Sequence, residues 1–192
     1  MKQLLFGALV GCVILFVWGW LTWSLIPIHI SSIRNIGNED SVISAMRINM
    51  DRKGVYVFPG MPAPDNKTAM DTYTQKCQRG PMGFIVYNPE GSDPMPVSQM
   101  VIGLVLFFIS AYIASWFLSR STAAASGYIV RVSFCGMLGL FISISTHILN
   151  WNWMDFPFDY TLSWVLDSVV GWLLAGLGIA AIVKTQKPAE PA

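Results

Sequence analysis

Four stretches of almost unbroken apolar residues alternate with segments in which polar and apolar positions are mixed. Residues 4–26 and 100–118 contain no charged side chain, residues 128–149 contain only Arg131, near their start, and residues 160–183 contain only Asp167. About 20 helical residues cross a bilayer core of about 30 Å, and lipid offers backbone amides no partners, so each stretch predicts a membrane-spanning helix.

Residues 27–99 read differently. Asp40 or Ser41 can cap a helix in which Val42, Ile43, Met46 and Met50 recur at helical spacing, and residues 51–54 stop it. Residues 55–58 have strand composition and end at Pro59-Gly60. A second helix is predicted over 67–78 and a second strand over 82–87, with the two strands paired. Val42, Met46, Tyr56, Phe58, Phe84 and Val86 are the expected apolar core. A chain of this length buries only about 60% of its unfolded surface, so that core is thin. The segment's one cysteine, Cys77, cannot staple it, because Cys12 and Cys135 lie inside apolar stretches.

Composition supports lipid as the solvent. Of 192 residues, 54% are apolar and 12% charged, against about 25% charged in a soluble domain, and the mean hydropathy is +0.52. A net charge of +1 gives no clustered basic face, so a nucleic-acid partner is not expected. Lys2, Arg120, Arg131, Lys184 and Lys187 fall on one side of a four-span topology, while the connection 150–159 carries two Asp and no Lys or Arg. Both termini are therefore expected in the cytoplasm, and the other face receives Trp151, Trp153 and Tyr160 as an aromatic belt, with Trp18, Trp20, Trp23 and Trp164 nearby. Lys2 before an apolar run is signal-like, yet the run is too long for a signal core and no cleavage motif follows, so the first span is expected to be retained. In residues 27–99 seven cations balance seven anions, which argues against a polybasic lipid patch or an acidic ion funnel.

In topology alone, one long exported loop between the first two of four spans is similar to claudin-like proteins. Their first loop carries a tryptophan signature and a cysteine pair. Here Trp18-Gly19-Trp20 lies inside the first span and the loop holds a single cysteine, so that family's function is not carried across.

Small residues mark the expected helix contacts: Gly7 and Gly11 in the first span, Gly139 and Ser143 in the third, Gly171 and Ala175 in the fourth. The chemistry is sparse. His29 follows the first span, His147 lies near the end of the third, and Asp167 enters the fourth from the same side. Ionisable groups inside a membrane are costly and often functional, which singles out His147 and Asp167 as a polar pair with His29 nearby. Such a set can bind a metal, ligate haem or hydrogen-bond a quinone head group, and no spacing selects among these. The plainer alternative is an interhelical hydrogen bond, with His29 at the interface in water. HExxH, CxxCH, GxSxG and phosphate-loop patterns are missing from the sequence. Asp155 and Asp159 can pair as carboxylates, but a polar loop with Asp159 capping the fourth span accounts for them as well. Asn66-Lys67-Thr68 matches a glycosylation sequon and is also a polar turn before a helix.

The fold expected is therefore a mainly α membrane protein, a four-helix transmembrane bundle (4–26, 100–118, 128–149, 160–183). A small α+β extracytoplasmic domain is inserted at 27–99, and a cytoplasmic tail follows at 184–192. The function expected is a noncatalytic accessory or assembly subunit in a bacterial inner membrane, meeting a membrane-protein partner or another copy of itself. A cofactor-binding protein with haem, metal or quinone at His29, His147 and Asp167 is the alternative. A small transporter working as an oligomer comes third.

Overall fold

The computed structural model describes residues 1–121, 125 and 127–184. Lys187 and residues 185–192 of the expected tail lie outside them. The elements run α1 (Lys2–Ser24), a 3-10 turn (Ile30–Ser32), α2 (Glu39–Asn49), β1 (Gly54–Phe58), α3 (Lys67–Arg79), β2 (Gly83–Tyr87), α4 (Val97–Arg120), α5 (Tyr128–Ile142), a π-helical segment (Ser143–Ile148), α6 (Leu149–Met154) and α7 (Phe158–Ile182).

Four helices are long and apolar enough to cross a membrane: α1, α4, the continuous helix Tyr128–Met154 and α7. They belong to one compact unit, Met1–Arg34 with Met95–Ala192. Within it α7 packs against α5 on one side and α1 on the other, and α1 packs against α4. The shared core is built on small side chains: Ala8, Ala111, Ala114, Cys135 and Ala175 are fully or almost fully buried beside Leu118 and Ile179. Small residues let helix backbones approach closely, the main route to dispersion contact when lipid surrounds the bundle. The thiol of Cys12 donates to the Leu104 carbonyl at 3.3 Å, tying α1 to α4.

The third helix runs farther than expected. Residues 150–154, read as part of a polar connection, are helical through the π segment and α6, and the chain turns only at Asp155, whose φ of 56° is left-handed. Pro157, which has no amide hydrogen to leave unpaired, precedes α7. Asp159 does not cap that helix: one of its oxygens accepts from the Tyr160 amide at 3.0 Å, and the other pairs with Arg34 at 2.7 Å.

Residues Asn35–Pro94 form the second compact unit. The expected order of helix, strand, helix, strand is present, and β1 pairs antiparallel with β2 from Gly54↔Tyr87 to Phe58↔Gly83. Asn38 caps α2 by accepting from the Ser41 amide at 3.2 Å, two or three residues before the cap expected at Asp40 or Ser41. Asn66 does the same for α3, accepting from the Ala69 amide at 3.0 Å.

The expected core of this unit needs correction. Phe58 is 39% and Val86 73% exposed, while Tyr87 is buried. Strand alternation accounts for Val86: the register puts Tyr56, Phe58, Ile85 and Tyr87 on one face, and Val55, Val57, Phe84 and Val86 on the other. Grouping Tyr56 and Phe58 with Phe84 and Val86 had mixed the two faces. Tyr56 meets Tyr87 edge-on at 6.1 Å, and its hydroxyl donates to the Arg52 carbonyl at 2.8 Å. A Cβ on Gly83 would lie 2.8 Å from the tip of the Phe58 ring, which would have to shift to admit it.

Candidate functional site

The polar atoms inside the four-helix unit gather around Trp164 on α7. Its neighbours along one face of that helix follow from spacing: Tyr160 lies one turn before, Asp167 and Ser168 one turn after. On α1, Trp18 and Thr22 are likewise one turn apart. The Trp18 indole donates to the Asp167 carbonyl at 3.1 Å, and the Thr22 hydroxyl donates to the Asp167 carboxylate at 3.1 Å. Both contacts join α1 to α7 at the level of this partly buried acid.

His29 approaches from the chain just after α1. It is 1% exposed, stacked on Trp23 at 4.6 Å and 14°, and set against Trp164 at 4.6 Å. It is therefore not an interfacial histidine in water, as one alternative had it. The adjacent turn fixes it, since the Ser32 hydroxyl donates back to the His29 carbonyl at 2.8 Å and lies 3.4 Å from Ser163 on α7. His29 Nε2 stands 3.7 Å from Asp167 Oδ1, and neither ring nitrogen has a hydrogen-bond partner among the described residues. A buried polar atom left unpaired costs about 1–3 kcal/mol. Aromatic faces on two sides hold the ring where it is.

His147 lies on the other side of Trp164, stacked at 5.6 Å and 26°, with Nε2 3.2 Å from the Ser168 hydroxyl. The expected direct pairing of His147 with Asp167 is replaced: Asp167 meets Thr22 and His29, and His147 meets Ser168. The reason is the helical offset, since Asp167 and Ser168 differ by about 100° around α7 and so address different neighbours. His147 belongs to the π-helical segment, a distortion that often accompanies functional sites. It opens on a cleft of about 210 Å³ lined by Thr146, Asn150, Phe156, Tyr160, Thr161 and Trp164.

The geometry discriminates among cofactor classes. Small-molecule sites run to about 300–1,000 Å³, so this cleft admits one small ring and no macrocycle. The indole of Trp164 fills the space between the two imidazoles, leaving no slot for haem between them. Among the described residues no three His, Cys, Asp or Glu side chains gather in a metal-ligating group. A quinone-sized ring has aromatic walls here, and His147, Asn150 and the two threonines as hydrogen-bonding groups.

The expected packing residues lie between helices. A Cβ on Gly7 would meet Val183 at 2.7 Å, on Gly11 Ile179 at 2.8 Å, on Gly139 the Ser168 carbonyl at 2.5 Å, and on Gly171 the Trp18 ring at 2.8 Å. Ser143 is buried, donating to the Gly139 carbonyl at 2.8 Å, and Ala175 is fully buried. Thr22, Trp23, Trp164 and Ser168 were not read as site residues. Their one-turn spacing on α1 and α7 was the available signal, but tryptophans near a helix end also suit an interfacial belt. Trp151 and Trp153 do remain exposed.

No protein-family model matches the chain, and no curated protein or solved structure matches it significantly.

Proposed function

We propose that this protein is a noncatalytic accessory or assembly subunit of a membrane complex, held by four spans, whose Asn35–Pro94 unit docks on another membrane protein of the complex. The observation that carries the reading is the open face of the two-stranded sheet, where Val55, Val57 and Val86 are 67%, 59% and 73% exposed. A two-stranded sheet is marginal alone, and in this unit Tyr87 is the one hydrophobic residue buried to 9% or less among those described. An apolar partner face completes such a core. The unit's charges are nearly balanced, six Lys and Arg against seven Asp and Glu in residues 35–94, which favours an apolar contact over an electrostatic one.

The orientation that goes with this reading puts Lys2, Arg120, Arg131 and Lys184 in the cytoplasm of a bacterial inner membrane and the Asn35–Pro94 unit outside. The test is purification from native membranes in mild detergent, beside a Val55→Asp/Val57→Asp variant. Partner chains should accompany the wild type at fixed stoichiometry and be lost from the variant while its four helices stay inserted. Wild-type protein that purifies alone as a monomer would sink the proposal. In a background lacking the native cysteines Cys12, Cys77 and Cys135, a cysteine placed at Ser92 should react with an impermeant maleimide in spheroplasts; one placed at Ser121 should not.

A second reading is supported by the His147 cleft, which suits a quinone head group hydrogen-bonded by His147 Nε2. His147→Ala should then abolish bound-quinone absorption in protein that still assembles. Purified protein with no extractable quinone would remove this reading.

A further inference from the structure

We infer that the end of the four-helix unit opposite Trp164 holds a binding site for a phosphate-bearing anion, supplied either by an anionic phospholipid headgroup or by free phosphate or pyrophosphate. A cavity of about 810 Å³ opens there among the start of α1, the last turns of α4 and the end of α7. Lys2, Arg120 and Lys184, one cation from each of these three regions, line it, and among the described residues no acidic one does. Its volume falls in the range of about 300–1,000 Å³ used by small-molecule sites.

Charge segregation across a membrane explains why cations collect at one end of a bundle. It does not explain why three of them share one cavity. Like charges brought together repel unless a counter-charge lies among them. Arg131 at the same end shows the alternative, for its Nε donates to the Ala180 carbonyl at 3.1 Å. Lys2, Arg120 and Lys184 have no ion pair or hydrogen bond among the described residues. Lys2 is further disfavoured by its position: it sits in the first turn of α1, at the positive end of the helix dipole, in a turn without an acid. An anion in the cavity relieves both problems at once.

The walls suit a headgroup with acyl chains beneath it. Trp116 and half-buried Tyr112 form one side, and the Arg120 guanidinium lies 5.7 Å from the Trp116 ring centroid, which orients it without neutralising it. Ser119 adds a hydroxyl, which already donates to the Trp116 carbonyl at 2.7 Å and so presents its oxygen as an acceptor only. Basic pockets between membrane helices on the cytoplasmic side are recurrent sites for anionic headgroups. Free phosphate would use the same three cations and leave the aromatic wall idle.

The full chain in phosphatidylcholine nanodiscs provides the test, at constant ionic strength, with native mass spectrometry as the main readout and, beside it, the part of the intrinsic tryptophan fluorescence change that is lost in a Trp116→Phe variant. One arm adds phosphatidylglycerol to the discs; the other adds inorganic pyrophosphate to the buffer. A response to phosphatidylglycerol alone assigns the site to lipid, and a response to pyrophosphate assigns it to the free anion. Arg120→Gln/Lys184→Gln should weaken either response about thirtyfold, at about 1 kcal/mol per cation removed, while Arg120→Lys/Lys184→Arg should keep most of it. Raising the salt concentration should weaken the wild-type response, a readout that needs no variant to fold. No response in either arm, or a response unchanged in the neutralised variant, would overturn the inference.

Discussion

The two compact units solve the same problem, burying enough surface to hold a shape, with opposite materials. The four-helix unit brings its helices together through small side chains, Gly139 against the Ser168 carbonyl and Gly176 against the Val132 carbonyl, with Leu118 and Ile179 buried in the same core. The Asn35–Pro94 unit uses aromatic rings on one face of a two-stranded sheet, Tyr56 on Tyr87 and Phe58 over Gly83. In lipid a large apolar side chain gains nothing by turning inward, so close approach decides the packing. In water the large ring is what gains from burial. The same residue type therefore means different things in the two units: exposed leucines on α1 face a solvent that suits them, and exposed valines on β1 and β2 do not.

Five substitutions test that contrast. The largest effect is expected from Tyr87→Ala, which removes the buried ring of the small unit and should cost about 3 kcal/mol or more. Limited proteolysis should then cut within residues 35–94 while the four helices stay inserted. Phe58→Ala, at a position 39% exposed, should do less; equal proteolysis of the two variants would mean that the two rings contribute alike. Next comes Gly139→Leu, which places a side chain against the Ser168 backbone and should cost about 1–3 kcal/mol by overpacking, measured as a fall in detergent unfolding midpoint. A midpoint equal to wild type would mean α5 and α7 are not held at this distance. Thr22→Val deletes the hydroxyl that donates to Asp167 and should cost about 0.6 kcal/mol, at most about 1.7, as for other hydrogen bonds between membrane helices. A much larger loss would show that the acid depends on this donor for more than packing. The smallest change should come from Val86→Thr, within about 0.5 kcal/mol in the isolated protein, since the side chain already faces outward. Appreciable unfolding would place Val86 in the core after all.

What could be read without coordinates follows the same divide. The four long helices were legible because an uninterrupted apolar run has few alternatives in lipid. Which way each one faces was only partly legible, because a helix that is apolar all round carries no amphipathic stripe. Gly7, Gly11 and Gly139 marked contacts in advance, whereas Ala111, Ala114 and Ser115, the buried stripe of α4, passed unremarked. In the small unit, alternation identified the strands, yet assigning their faces needed the pairing register, and that pairs residues 54 and 87 across an intervening helix. The convergence of His29 on Trp164 depends on the tight turn at Ile30–Ser32, and turn geometry of this kind leaves little trace in residue type. Asp167 was singled out by charge alone, while its partner Thr22 looked like one more tolerable hydroxyl in an apolar run.

The π-helical segment Ser143–Ile148 has an evolutionary corollary. In register terms such a segment is one residue more than a regular helix needs to cover the same path. Deleting a single residue there would return the helix to ordinary winding and leave everything beyond it, Asn150 and the exposed Trp151 and Trp153 included, on its present face, while side chains inside the segment, His147 among them, would turn by up to about 100°. When related chains are aligned, those that keep the His147 cleft should keep the extra residue, and those that have lost the cleft should show a one-residue gap between positions 143 and 148. A gap at that point in a lineage that retains both His147 and Asn150 would show that the cleft does not depend on the bulge.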